Sequence, residues 1–316
     1  MIKVAILDDY QNVANDFVDW KQLKNKINVT VFNKYIGKDT DLAEQLKEFE
    51  ILCLMRERTP LTKVLISKLP NLKLVITSGM WNASIDNGEL KKRNIILCGT
   101  DTEIHPTAEL TWALIIMGWR GLLTQIENMK NGKWQTSIGR SLKGKTLGVL
   151  GLGKQGLQVA KYGKAFGMEV IAWSHNLKKE FCNRNDIEYV DCLSLFKKSD
   201  ILTIHTRLSD RTHGFVNKDK LKLMKKNSFL VNTSRGPIIK EGDLVKSLMD
   251  KKIGGAALDV YDIEPLPENH ILRSIENLIL TPHIGYVAEE SYAKFFKGYF
   301  MVIKSYLNNK TINIIS

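Results

Sequence analysis

The chain has 316 residues, 44% of them hydrophobic and 25% charged, a balance that predicts a globular protein of about two domains. Its net charge of +12 is carried by dispersed lysines without aromatic interleaving or a recognised motif, so nucleic acid is not a predicted partner. No apolar stretch is long enough for a membrane helix, and Asp8 and Asp9 interrupt the first apolar run too early for a signal peptide. The four cysteines form no CxxC pair and no metal-ligand spacing. We therefore expect a reduced, cytoplasmic protein without a metal site or a membrane partner.

Short apolar runs alternate with amphipathic segments along the first part of the chain, which predicts βαβ units and a parallel sheet. The predicted strands are Ile2–Leu7, Val29–Phe32, Ile51–Leu54, Leu72–Thr77 and Ile95–Leu97. The stretch from Pro106 to Lys130 then predicts one long helix, because proline suits a first helical turn and Asn131-Gly132 ends the pattern.

A second series of apolar runs follows this helical stretch and predicts a second parallel sheet. Its predicted strands are Thr146–Leu150, Glu169–Trp173, Ile201–His205, Phe229–Asn232, Gly255–Leu258 and Leu278–Leu280. The last helical pattern, from Ala288 to Leu307, could return the chain to the first domain.

Residues 151–156 have the sequence GLGKQG and lie between a predicted strand and a helical pattern. In that context Gly151 permits a tight turn, Gly153 lets the backbone approach a pyrophosphate, and Gly156 lets the helix pack on the strand. Lys154 and Gln155 would contribute backbone N–H groups to the phosphates at the start of the helix. The motif therefore predicts a dinucleotide-binding domain.

These patterns together predict an α/β protein of two domains. We expect a Rossmann nucleotide-binding domain at residues 105–285, inserted in a smaller, flavodoxin-like substrate domain with its own parallel sheet at residues 1–104 and 286–316. We also expect a cleft between the two domains.

The strand after the glycine-rich turn ends in Trp173-Ser174-His175-Asn176, without the acidic residue that binds the adenosine ribose in NAD enzymes. Ser174, 18 residues after Gly156, stands where that acid is expected, so a ribose 2′-phosphate is not repelled. Ser174 and His175 could donate hydrogen bonds to such a phosphate. The argument slightly favours NADP over NAD and leaves both open.

Three short signatures carry an arginine, a carboxylate and a histidine. Arg235 lies in Asn232-Thr233-Ser234-Arg235-Gly236, Glu264 ends the segment that begins at Asp259, and His283 lies in Thr281-Pro282-His283-Ile284-Gly285. Arginine can hold a planar carboxylate and a keto oxygen with permanently charged donors. Histidine can hold or release a proton near neutral pH, and a carboxylate beside it favours the charged form. Together with the dinucleotide turn, this set predicts hydride transfer to a 2-keto acid.

GLGKQG, NTSRG, DVYDIEP and TPHIG, in this order and spacing, resemble the motifs of the D-isomer-specific 2-hydroxyacid dehydrogenases, and the resemblance covers nearly the whole chain. It implies that Arg235 binds the substrate carboxylate and keto oxygen. It also implies that His283 is the proton donor and that Glu264 pairs with it. A homodimer built partly through the Pro106–Lys130 segment is implied as well.

The same resemblance assigns further residues to the cofactor and the substrate. Asp259 would contact the nicotinamide carboxamide, and the cofactor-binding set includes His205, Thr233 and Gly285. Substrate-binding residues would be Arg56, in an arginine-bearing loop, and Gly79 and Met80, in a loop whose backbone N–H groups hold the carboxylate. That loop, SGMWN, lacks the glycine-rich form often found in the family, so the side group of the substrate stays open.

Three other readings share parts of this pattern. Formate dehydrogenases pair glutamine with the histidine, so Glu264 argues against one. A phosphite dehydrogenase retains the arginine, glutamate and histidine and stays open. A dinucleotide-sensing interaction protein of the corepressor type is disfavoured by the complete triad and by the lack of extended disordered flanks.

Overall fold

The computed structural model describes residues 1–36 and 40–315. Contacts divide the chain into two compact units, Met1–Glu103 with Val287–Ser316 and Ile104–Tyr286. The strands are Ile2–Ile6 (β1), Ile27–Val31 (β2), Ile51–Leu54 (β3), Leu74–Thr77 (β4), Ile96–Gly99 (β5), Thr146–Leu150 (β6), Glu169–Trp173 (β7), Glu188–Tyr189 (β8), Ile201–Ile204 (β9), Phe229–Asn232 (β10), Gly255–Leu258 (β11) and Leu278–Leu280 (β12).

The helices are Ala14–Phe17 (α1), Thr40–Leu46 (α2), Lys63–Ser67 (α3), Asn87–Lys92 (α4), His105–Arg120 (α5), Leu122–Lys130 (α6), Lys154–Ala165 (α7), Lys179–Arg184 (α8), Cys192–Lys198 (α9), Lys218–Leu221 (α10), Glu241–Met249 (α11) and Glu289–Tyr306 (α12). Among the described helices, none combines the length and apolar character needed to span a bilayer.

The first unit is built on a five-stranded parallel sheet with strand order β2-β1-β3-β4-β5. Every residue of β3 and β4 is buried, because helices cover both faces of a parallel sheet and the strands must be apolar throughout. This is the strand order of flavodoxin-like folds, as predicted.

The second unit is built on a seven-stranded parallel sheet with order β12-β11-β10-β9-β6-β7-β8. The strand order reverses between β6 and β9, which is the doubly wound arrangement of a Rossmann fold. Ligands of such folds bind beyond the carboxyl ends of the strands. The residues that directly follow β6, β7, β9, β10, β11 and β12 are Gly151, Ser174, His205, Thr233, Asp259 and Thr281. The predicted α/β fold class is therefore confirmed, and one edge of this sheet carries most of the predicted site residues.

The prediction of one helix from Pro106 to Lys130 was wrong, because the structure has two helices there. Helix α5 ends at Arg120, and Gly121 adopts a left-handed φ of 63° before α6 begins at Leu122. Apart from Gly121 and its two chain neighbours, no described atom lies within 4 Å of the position that a Gly121 Cβ would occupy. The backbone conformation that glycine tolerates, rather than crowding, therefore separates the helices.

Candidate active site

The three glycines of the GLGKQG turn have different physical roles. Gly151 has a φ of 99°, and a Cβ there would lie 2.6 Å from the backbone nitrogen of Thr206. A Cβ on Gly156 would lie 2.1 Å from the carbonyl oxygen of Gly151, so α7 packs against the turn at this point. Around Gly153, in contrast, a Cβ would meet open space. The first and third glycines make the turn compact, and the middle one leaves its outer face open.

The start of α7 fits a dinucleotide pyrophosphate. Helix α7 begins at Lys154, and no side chain caps it. The N–H groups of a first helical turn have no partner within the helix, and together with the helix dipole they attract an anion. An uncapped helix start beside the open face of Gly153 is therefore suited to phosphate oxygens.

His205 provides a second indication of a bound polar group. Both of its ring nitrogens are buried, and neither has a hydrogen-bond partner among the residues that the structure describes. Burial lowers the pKa of its imidazole to about 4, so the ring is neutral at neutral pH. A neutral imidazole offers one donor and one acceptor, and a ligand at this strand end could satisfy them.

The end of β7 carries an aromatic cluster next to Ser174. Trp173 stacks on Phe215 with ring centroids 5.5 Å apart, and His175 packs against both rings at 4.9 Å and 5.2 Å. Ser174 is half-buried, and the His175 side chain is exposed. The position directly after β7 is therefore held in place by packing and contributes a hydroxyl instead of a carboxylate.

Arg235 lies in a turn that the buried side chain of Asn232 organises. The Asn232 amide donates to the Arg235 carbonyl oxygen at 2.9 Å, while its own oxygen accepts from the Ser234 backbone N–H at 3.0 Å. The Ser234 hydroxyl donates to the Thr206 carbonyl oxygen at 2.5 Å. The half-buried Arg235 side chain donates from Nη1 to the Ser234 carbonyl oxygen at 2.6 Å. The polar asparagine at the end of an apolar strand thus fixes the backbone from which the arginine projects.

Glu264 and His283 form a close pair. The Glu264 Oε2 atom lies 2.5 Å from His283 Nδ1, and Oε1 accepts from the Tyr261 backbone N–H at 2.9 Å. Side-chain exposure is 18% for His283 and 31% for Glu264. Within the described part of the chain, His283 Nε2 has no hydrogen-bond partner. The carboxylate therefore fixes one ring nitrogen and leaves the other able to exchange a proton with a ligand.

Asp259 holds the loop that carries His283. One carboxylate oxygen accepts from the Thr281 hydroxyl at 2.6 Å and from the Ile284 N–H at 2.8 Å, and the other accepts from the Gly285 N–H at 2.8 Å. Burial raises the pKa of Asp259, although these three donors oppose the rise. His283 itself has a left-handed φ of 52°, a conformation that needs support from its surroundings. The sequence had suggested only a nicotinamide contact for Asp259 and gave no sign of this loop contact.

The Arg235 turn and the Glu264 loop are in direct contact. A Cβ on Gly236 would lie 2.1 Å from the carbonyl carbon of Tyr261 and 2.6 Å from the Asp262 backbone nitrogen. Only glycine therefore permits this approach of the two backbones. The contact brings together two signatures that are well separated in sequence.

In the first unit, Arg56 and Gly79 lie side by side. Arg56 has a left-handed φ of 51°, and its Nη1 donates to the Ser78 carbonyl oxygen at 2.9 Å. The Gly79 N–H donates to the Thr100 hydroxyl at 3.0 Å, so it is already engaged. The N–H groups of Met80 and Trp81 donate to no described residue, and both side chains are largely exposed. If this loop holds a carboxylate, Met80 and Trp81 supply the open donors.

The comparisons with known proteins identify the family of the chain. A sequence model described as "D-isomer specific 2-hydroxyacid dehydrogenase, NAD binding domain" matches residues 112–285. The glyoxylate reductase of Aeropyrum pernix is 38% identical over 237 residues, 72% of this chain and 71% of that protein. The hydroxypyruvate reductase of Thermotoga maritima is 34% identical over 285 residues, 87% of this chain and 91% of that protein. The crystal structure of a phosphoglycerate oxidoreductase from Vibrio cholerae O395 has a TM-score of 0.92 at 38% identity and covers 98% of this chain and 100% of that chain.

The second unit has the strand order and glycine-rich turn of a Rossmann NAD-binding domain. The chain belongs to the D-isomer specific 2-hydroxyacid dehydrogenase family and is an oxidoreductase of that class. The resemblance inferred from the four sequence motifs is thereby confirmed.

Proposed function

We propose that the protein reduces a small 2-oxo acid to the D-2-hydroxy acid with NAD(P)H, and oxidises the hydroxy acid in the reverse direction. The observation that carries the proposal is the Glu264–His283 pair, whose contact occupies Nδ1 and leaves Nε2 open. Beside it, the backbone that bears Arg235 is in contact with the loop that bears Glu264 through Gly236. A cation, a proton donor and its carboxylate therefore belong to one assembly of loops at the edge of the sheet.

The roles of these side chains follow from their chemistry. Arg235 binds the substrate carboxylate and the keto oxygen, which orients the keto carbon. Protonated His283 donates from Nε2 to the keto oxygen as negative charge develops there, and in the reverse direction neutral Nε2 accepts the hydroxyl proton. Glu264 accepts from Nδ1 and stabilises the charged ring. The dinucleotide, when bound, supplies or takes up the hydride.

For the dinucleotide, we propose that the start of α7 and the face of Gly153 hold the pyrophosphate, with Lys154 and Gln155 contributing backbone N–H groups. The residues His205, Thr233 and Asp259 directly follow strands of the same sheet edge, and Gly285 donates to Asp259. These four residues are assigned to the nicotinamide half. Ser174 and His175 are assigned to the adenosine ribose. A hydroxyl at position 174 repels no 2′-phosphate, which supports a slight preference for NADP over NAD.

Replacing Ser174 with Asp tests the cofactor assignment. A carboxylate at this position repels a 2′-phosphate and accepts from ribose hydroxyls, so we expect the NADPH-to-NADH ratio of kcat/KM to fall about tenfold. Kd values for NADPH and NADH, measured by quenching of protein fluorescence, should change in the same direction. Ser174→Asn keeps a polar side chain without charge and is the matched control. An unchanged ratio in the aspartate variant would show that position 174 does not contact the ribose.

For the first unit, we propose that Arg56 and the loop of Gly79 and Met80 bind the substrate carboxylate. This is supported by the open N–H groups of Met80 and Trp81 next to the Arg56 guanidinium. The Arg56 side chain is 21% exposed.

We also propose that the protein is a homodimer, which is supported by the exposed apolar side chains of Leu123 and Ile126 on α6. Sedimentation of the purified protein tests the dimer. We also propose that the protein is located in the cytoplasm.

Oxidation of NADPH and NADH with glyoxylate, hydroxypyruvate, pyruvate and phosphohydroxypyruvate tests the activity. Glyoxylate and hydroxypyruvate are included because the relatives named above are reductases of these acids. We expect turnover of at least one of these acids, abolished by Arg235→Ala. Dinucleotide binding without turnover of any acid would instead favour a sensing protein. Oxidation of phosphite in place of a hydroxy acid would favour the phosphite dehydrogenase reading.

A further inference from the structure

Two threonines on α5 connect this helix to both halves of the proposed catalytic assembly. Thr107 and Thr111 are buried, with exposures of 7% and 0%. They are four residues apart and therefore lie on the same face of the helix, one turn from each other. Neither belongs to a signature recognised in the sequence.

Thr107 holds the end of the His283 loop. Its hydroxyl donates to the Gly285 carbonyl oxygen at 2.9 Å, while the N–H of the same glycine donates to Asp259 at 2.8 Å. A Cβ on Gly285 would approach Asp259 Oδ2 to 3.1 Å and Thr107 Cγ2 to 3.2 Å. Gly285 is thus held through both of its backbone polar groups, two residues after His283.

Thr111 holds the turn that carries Arg235. Its hydroxyl oxygen lies 2.8 Å from the Thr107 carbonyl oxygen and 2.8 Å from the Thr233 hydroxyl oxygen. A carbonyl oxygen can only accept, so Thr111 donates its one proton to Thr107. The proton in the other contact therefore belongs to Thr233, which donates to Thr111. Thr233 is fixed in this way two residues before Arg235.

A threonine that donates to the carbonyl four residues earlier is ordinary within a helix. The other two contacts are not local, because they join residues separated by 122 positions (Thr111 and Thr233) and 178 positions (Thr107 and Gly285). The helical turn between Thr107 and Thr111 thus sets the distance between two backbone segments. One segment carries Arg235, and the other carries His283.

We propose that Thr107 and Thr111 are positioning residues for the reaction, a role that rests on the proposed function of Arg235 and His283. Hydride and proton transfer depend on distances and angles that small displacements degrade. Thr107 acts through the His283 loop, and Thr111 acts through the Arg235 turn. Each threonine should therefore affect a different kinetic parameter.

The test replaces each threonine with valine, which keeps the shape and removes the hydroxyl. We expect Thr107→Val to lower kcat about tenfold with little change in the KM of the keto acid. We expect Thr111→Val to raise that KM about tenfold, because the anchor turn loses a contact. Thr107→Ser and Thr111→Ser keep the hydroxyl and should restore wild-type values.

Thr203→Val is the matched control. Thr203 is also buried in the second unit, but its hydroxyl donates at the long distance of 3.4 Å to the Gly148 carbonyl oxygen in the neighbouring strand. Thr107 and Thr111 contact Gly285 and Thr233, which are also assigned to the dinucleotide. The kcat and KM values are therefore measured at saturating dinucleotide, and the dinucleotide Kd of each α5 variant is measured separately. If a valine variant does not fold, Thr107→Ala or Thr111→Ala removes the same hydrogen bond.

Amide hydrogen exchange gives a measurement that does not need turnover. Loss of either hydroxyl should speed exchange in its own loop, residues 281–286 for Thr107→Val and residues 233–236 for Thr111→Val. Folded valine variants with wild-type kcat, KM and exchange would overturn the proposal. Absence of turnover in the wild-type protein would instead overturn the proposed function, and the exchange data would still decide whether the threonines hold the loops.

Discussion

The two parallel sheets carry polar side chains at their carboxyl edges but use them differently. In the first unit, Arg58 donates to the Asp8 carbonyl oxygen at 2.6 Å and to the Tyr292 hydroxyl at 3.3 Å, and its guanidinium lies 4.4 Å from the centre of the Tyr10 ring. The Thr59 hydroxyl donates to the Asp8 carboxylate at 2.6 Å. These groups bind one another and thereby join strand ends to α12.

In the second unit, Asn232 and Asp259 are held by hydrogen bonds at the equivalent edge, but other polar groups there lack such partners. Within the described residues, the buried ring nitrogens of His205 have none, the hydrogen bond of the His283 ring involves Nδ1 and not Nε2, and the start of α7 has no side-chain cap. Buried polar groups without partners are rare in native proteins and usually indicate a ligand or water. The comparison indicates that the Arg58 group of the first unit stabilises the fold, whereas the open groups of the second unit mark the candidate site.

The largest effect should come from Arg235→Lys in the second unit. Lysine keeps the charge but lacks the planar fork that holds a carboxylate and a keto oxygen together, so we expect kcat/KM to fall on the order of 1000-fold. Steady-state kinetics with the best keto acid checks this. Arg184→Lys, at an exposed position on α8, is the control. Near wild-type efficiency in the Arg235 variant on every accepted acid would remove Arg235 from the site.

Glu264→Gln should have the next largest effect. A glutamine has one acceptor oxygen, so it cannot accept from both Tyr261 and His283 as the carboxylate does. It also removes the negative charge beside the ring. We expect kcat for reduction to fall about 10- to 100-fold, with dinucleotide Kd unchanged. Glu268→Gln, an exposed change in the same loop, should be neutral, and equal kcat values for the two variants would contradict the assignment.

His205 should make stability depend on pH. Its pKa is lowered to about 4 in the folded protein and is about 6.5 when exposed. Between these values the unfolded chain binds a proton that the folded protein does not, so stability falls as pH falls. Without dinucleotide, this group should account for a loss of about 2 kcal/mol between pH 7 and pH 5.

Urea unfolding of His205→Asn at both pH values measures that contribution. The asparagine variant should lose about 2 kcal/mol less than the wild type over this interval. His175→Asn, at the exposed end of β7, is the control and should follow the wild type. Parallel losses in all three proteins would mean that the His205 ring is solvated.

The sequence correctly predicted the strands and turns that are determined by residues consecutive in the chain. β6, β10 and β11 have the predicted bounds, because strands buried on both faces must be continuous apolar runs. The GLGKQG turn was recognisable because each glycine meets a separate backbone requirement. The break at Gly121 was not, since a glycine inside a helical pattern can also continue the helix.

The details of the candidate site that could not be predicted depend on contacts distant in sequence. The donors to the Asp259 carboxylate lie 22 to 26 residues later, and nothing near Asp259 indicates them. The left-handed conformation of His283 is supported by these contacts of its loop, which lie distant in sequence from Asp259. In the sequence, Thr107 and Thr111 look like ordinary helix residues. Their partners, Gly285 and Thr233, are distant in sequence and approach them only in the folded protein.

The smallest effects are expected for Arg56 and Arg58, two arginines of one loop in the first unit, for which we predict different roles. Arg58→Met removes the hydrogen bonds to Asp8 and Tyr292 and the contact with the Tyr10 ring, and it removes a positive charge near Asp8. Burial already raises the pKa of Asp8 against the opposing effects of Thr59 and Arg58. We expect the free energy of unfolding at pH 7 to fall by about 1–2 kcal/mol, with KM within about twofold of wild type.

Arg56→Met is the matched variant two residues away. Its guanidinium is assigned to the substrate carboxylate, so we expect KM for the keto acid to rise about fivefold while the free energy of unfolding changes by less than about 0.5 kcal/mol. Urea unfolding and steady-state kinetics on both proteins separate the two roles. If Arg58→Met instead raised the KM of the keto acid and left the free energy of unfolding unchanged, Arg58 rather than Arg56 would be the substrate-binding arginine. In this loop, an arginine with hydrogen-bond partners within the first unit would then bind substrate. The contrast between polar groups that have partners and those that lack them would not hold here.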